Sequence, residues 1–101
     1  MSNLPWIAEK MAEYDPAYHK ILQQVGDLAL SPSALDQKTM LLILVALDAA
    51  KGAGQGVKVL AGKAREAGAS DDEIREALRL AYYVSGMETV KASLQAFDDE
   101  G

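Results

Sequence analysis

The chain contains no cysteine. That removes disulfides, thiolate metal sites, cysteine nucleophiles and thiol redox chemistry together. Histidine is nearly as scarce. His19 is alone, with no His-x-x-x-His or Asp/Glu–His cluster around it, so no metal or cofactor is expected. It sits beside an apolar stripe and reads as a solvated or interface side chain. Basic residues are outnumbered, ten against fifteen acids for a net charge of −5, and no basic stripe marks a nucleic-acid surface. The longest apolar run, Met40 to Leu47, is far too short to span a bilayer. The opening "MSNLPWIAEKMAEYDPAYH" carries acids and no apolar core, unlike a signal peptide. A soluble cytoplasmic protein is the expectation, with neither nucleic acid nor membrane as partner. Strand signals are almost absent, since no segment alternates apolar and polar residues convincingly.

What the chain does have is helical spacing. At 101 residues, half of them hydrophobic, it is long enough for one globular domain over 1–101 and not two. Oligomerisation would help bury its apolar surplus. Pro5 and Pro16 stand as first-turn prolines, with Asp15 as an N-cap. Trp6, Met11 and Tyr14 read as one face of a short helix. Tyr18, Ile21, Leu22, Val25 and Leu28 stripe the next one, as a core face requires. "LSPSALD" is a turn, and Asp36 an N-cap for a helix over about 37–51. That helix contains "MLLILVAL" and is apolar all round, so it is buried by its own subunit or by a neighbour's. Val57, Leu60, Ala61 and Ala64 stripe a further helix, which Gly68 ends as a C′ glycine. Ser70 and Glu73 form a capping box. Ile74, Ala77, Leu78 and Ala81 follow. Gly86 is expected to stop that helix, with Tyr82 and Tyr83 near its end, before a last one carrying Val90, Leu94 and Phe97. The tail "DDEG" is expected to fray. The sum is an all-α domain of about six helices.

Three glycines, Gly52, Gly54 and Gly56, interrupt this pattern. They could let a carboxylate or phosphate approach the N–H groups of a helix start, with Lys58 adding charge. The commoner use is punctuation: Gly52 ends a helix and the others make a tight connection or permit close packing. A dinucleotide fingerprint is excluded, because a helix and not a strand precedes, and the Walker spacing is absent. Asp48, in "LVALDAAKG", is the best single catalytic candidate. In a dry pocket it would serve as general acid or base. Its plainer reading is a pair with Lys51 one turn on, or an exposed helix end.

The order of signals from Ala34 to Phe97 resembles the carboxymuconolactone decarboxylase and alkylhydroperoxidase D-like family. The "LDQKT" helix start, the hydrophobic helix ending in "AAKG", the helix ending in "AGAS" and the following "DDEIREAL" carry the resemblance. It implies an all-helical fold and a homo-oligomer, trimer or hexamer, with helices packed across subunits. The redox branch of that family has a C-x-x-C-x-x-x-H motif directly after "AAxG" and a glutamate on the preceding helix. Here Ala53, Gly56 and Leu60 stand at the two cysteines and the histidine, and Leu41 at the glutamate. No thiol, resolving partner or proton relay is left, so peroxidase chemistry by that route is rejected. The lactone decarboxylase branch keeps charged and histidine side chains near the same helix start. "GAGQGVKVL" offers only Gln55 and Lys58. Two functions follow as expectations. In the first, a small organic molecule binds near Leu41, Ala53, Gly56 and Leu60, with Asp48 or Lys58 performing decarboxylase- or isomerase-like acid/base chemistry. In the second, the chain is a catalytically inactive structural or interaction subunit on the same scaffold.

Overall fold

The computed structural model describes residues 5–98, with side chains from residue 7 onward. The expectations for the Trp6 side chain and for the last residues of the tail lie outside the described residues. Among those described there are five α-helices, a short 3-10 helix and no strand. They fall into two compact units, residues 1–36 and residues 37–101.

The first unit holds α1 (Pro5–Tyr14) and α2 (Pro16–Ala29). Its punctuation follows the sequence. Asp15 caps α2, its carboxylate accepting the Tyr18 N–H at 3.1 Å, and Pro16 occupies the first turn, where a missing N–H costs nothing. The expected apolar stripe of α2 is present, and its own unit does not cover it. Tyr18, Ile21, Leu22, Val25 and Leu28 are all exposed, and no residue of the helix is buried. Periodicity places a stripe on one face; it does not supply what covers that face.

The second unit holds α3 (Gln37–Ala50), α4 (Gly54–Glu66), α5 (Asp71–Ser93) and the 3-10 helix Leu94–Phe97. α3 packs against both α4 and α5. Its buried face is Met40, Leu41 and Val45, met by Leu60, Ala61 and Ala64 of α4 and by Ile74 and Ala81 of α5. Val45 and Ala64 are fully enclosed. Burying a leucine such as Leu41 or Leu60 contributes roughly 1.5–3 kcal/mol, so these few side chains dominate the unit's stability. The all-round apolar helix is only partly covered by its own unit. Ile43 and Leu47 remain exposed on the other side of α3.

One boundary differs from the sequence reading. Gly86 does not stop α5, which runs unbroken to Ser93, so the expected sixth helix is the end of the fifth plus a 3-10 turn. A terminating glycine adopts positive φ, and among the described residues only Gly52 and Gly68 do. Gly86 stays helical. The Tyr82 ring lies over it, 3.3 Å from where a Cβ would stand.

Both links of α4 are built by such terminating glycines. At its C-terminal end Gly68 has φ +100°, its N–H donates to the Arg65 carbonyl at 3.0 Å, and the Ala69 N–H donates to the Ala64 carbonyl at 2.9 Å. This paired arrangement satisfies carbonyls that a helix end leaves open. Ala69 is buried directly after it, so the turn feeds the core.

Candidate functional site

The site foreseen around Asp48 is positioned by the end of α3. Gly52, at φ +76°, donates its N–H to the Ala49 carbonyl at 3.0 Å, and Ala53 donates to the Asp48 carbonyl at 2.9 Å. The second bond draws the start of α4 back against the last turn of α3. Ala53 is then the N-cap of α4 and has no side chain able to cap it. The Gly54 N–H turns back to the Gly52 carbonyl at 3.0 Å.

The half-buried Asp48 side chain reaches this uncapped helix start. Its carboxylate lies against Gly56, in the first turn of α4. A Cβ on Gly56 would collide with Oδ2, with Cγ at 3.0 Å and the Ala53 Cβ at 3.7 Å. The carboxylate therefore stands at the end of the helix dipole that favours negative charge. Two of the three glycines now have an account. Gly52 supplies positive φ, and Gly56 makes room for the carboxylate. Gly54 does neither, with nothing within 4 Å of its absent Cβ.

The structure brings Asp48, Ala53 and Gly56 together. Leu41 and Leu60 belong instead to the packed core, 4% and 6% exposed. Lys58 is exposed on α4. Among the described residues neither Lys58 nor Lys51 forms an ion pair with Asp48, so the foreseen i, i+3 pairing with Lys51 is absent. The carboxylate turns toward α4 rather than along its own helix. Tyr82 and Tyr83 are exposed, and His19 is half-buried on α2. Among the described residues no group of three His, Asp or Glu side chains is gathered that could hold a metal ion.

A second polar cluster was only half visible in the sequence. Ser70 and Glu73 complete the capping box, with Glu73 N–H to Ser70 Oγ at 3.0 Å and Ser70 N–H to Glu73 Oε1 at 2.8 Å. The other oxygen, Oε2, accepts from Lys38 Nζ at 2.9 Å, tying the first turn of α3 to the first turn of α5. The Ser70 backbone N–H, and then Lys38, hold Glu73 below the ordinary glutamate value. Arg65 does the same for Asp71 through a 2.9 Å hydrogen bond. The stabilised form of both is the anion, which suits capping and not proton donation at neutral pH. Lys38 lies in the "LDQKT" start and Glu73 in "DDEIREAL", so each signal was legible. Their pairing across 35 residues was not.

Among the described residues no helix is long and apolar enough to cross a membrane. A model of the carboxymuconolactone decarboxylase family matches residues 16–99, from the first residue of α2 to just past the 3-10 helix. No curated protein sequence matches the chain, and no solved structure does. With the family model covering most of its length, and an all-helical fold that agrees, this chain belongs to the carboxymuconolactone decarboxylase family.

Proposed function

We propose that this chain is a homo-oligomeric family member that has lost thiol chemistry and serves as a structural or interaction subunit, folding as one domain over 1–101. One observation carries the reading. The positions that resemble the redox site of the family are filled with packed or structural groups. Leu41 and Leu60 are core side chains, and the carboxylate of Asp48 stands where a side chain at position 56 would begin. The space is used to join α3 to α4. The apolar side chains left exposed on α2, α3 and α5 support self-association, because a lone soluble subunit rarely presents so many.

A second reading rests on Asp48 itself. It is half-buried, beside a helix start with no side-chain cap, and among the described residues no ion pair occupies it. Such a carboxylate can orient a polar group of a small organic molecule or exchange a proton with it. Lys58, on the exposed face, takes no part in this version.

Native mass spectrometry of the protein purified from its own host separates the two. The scaffold reading expects a homo-oligomer, trimer or hexamer, whose mass is accounted for by polypeptide alone. A small molecule retained in fixed stoichiometry, and released by Asp48→Ala, overturns it in favour of the second.

A further inference from the structure

We draw no further inference here: the strongest candidate, the exposed apolar face that Leu80, Tyr83, Met87, Val90 and Leu94 form along α5 and into the 3-10 helix, carries nothing, because nothing in the structure shows what covers it.

Discussion

Replacing Gly56 by alanine tests whether the Asp48 carboxylate holds the α3–α4 junction. Two effects oppose each other. Alanine in a helix is favoured over glycine by about 0.5–1 kcal/mol. The added Cβ, however, enters space held by the carboxylate, whose Cγ would be 3.0 Å away. Asp48 is short and must rotate off its rotamer, at a cost of about 0.5–1.5 kcal/mol. It also loses its place at the α4 N-terminus, worth about 0.3–1 kcal/mol. The expected net result is a loss of about 1 kcal/mol, against the sign of helix propensity. In an Asp48→Ala background the obstacle is gone, and the same change is expected to stabilise by about 0.5–1 kcal/mol. The two sites are therefore coupled by about 1–2 kcal/mol. Urea unfolding of the four proteins at one fixed protomer concentration measures this term. Asp48→Asn separates shape from charge, since it keeps the obstacle and removes the dipole contribution. Additivity within about 0.3 kcal/mol would refute the account.

Gly68→Ala, at φ +100° in the turn after α4, is expected to destabilise by about 1–2 kcal/mol, whereas Gly62→Ala inside α4, with nothing near its absent Cβ, gains about 0.5–1 kcal/mol in the same unfolding assay. Gly86→Ala is expected to stabilise by up to about 0.5 kcal/mol, because Tyr82 is exposed and can turn its ring aside; a loss above about 1 kcal/mol would mean that the ring is fixed. Glu73 and Asp71 are both held below ordinary carboxylate values, so their contribution is complete only above the unfolded range, from about pH 5 upward, and fades as pH falls from there through the lowered values. Glu73→Gln is expected to lower stability at neutral pH and flatten that acid limb, read from urea midpoints across the acid range.

Most of the helix punctuation was readable because each signal acts locally. Asp15 with Pro16, Ser70 with Glu73, and Gly68 all do their work within one turn, and the structure finds them doing so. Gly86 was misread for the complementary reason. Glycine permits a stop but does not impose one, and here the ring of Tyr82 lies over the gap inside a continuous helix. Asp48 exposes a different boundary. From sequence, its natural partner is Lys51 on the same helix. The structure turns it toward Gly56, because the bond from Ala53 to the Asp48 carbonyl folds the chain back at that residue. An acid four residues before a terminating glycine is a signal for such an arrangement, but its meaning depends on where the next helix starts. The stripe of α2 was legible as a stripe and illegible as a contact, since periodicity records a face and not its neighbour.

The two oxygens of Glu73 serve a local and a distant partner, and this lets one ordered side chain support both contacts. The capping box needs only residues 70–73. Once Oε1 is held by the Ser70 N–H, the side chain's torsions are set and Oε2 already points outward. Lys38 then finds a fixed acceptor and not a swinging one, so the entropy of ordering the glutamate is lost once for two contacts. A helix-start signal of α5 thereby serves α3 as well, which is aligned by a group that α5 required for its own reasons.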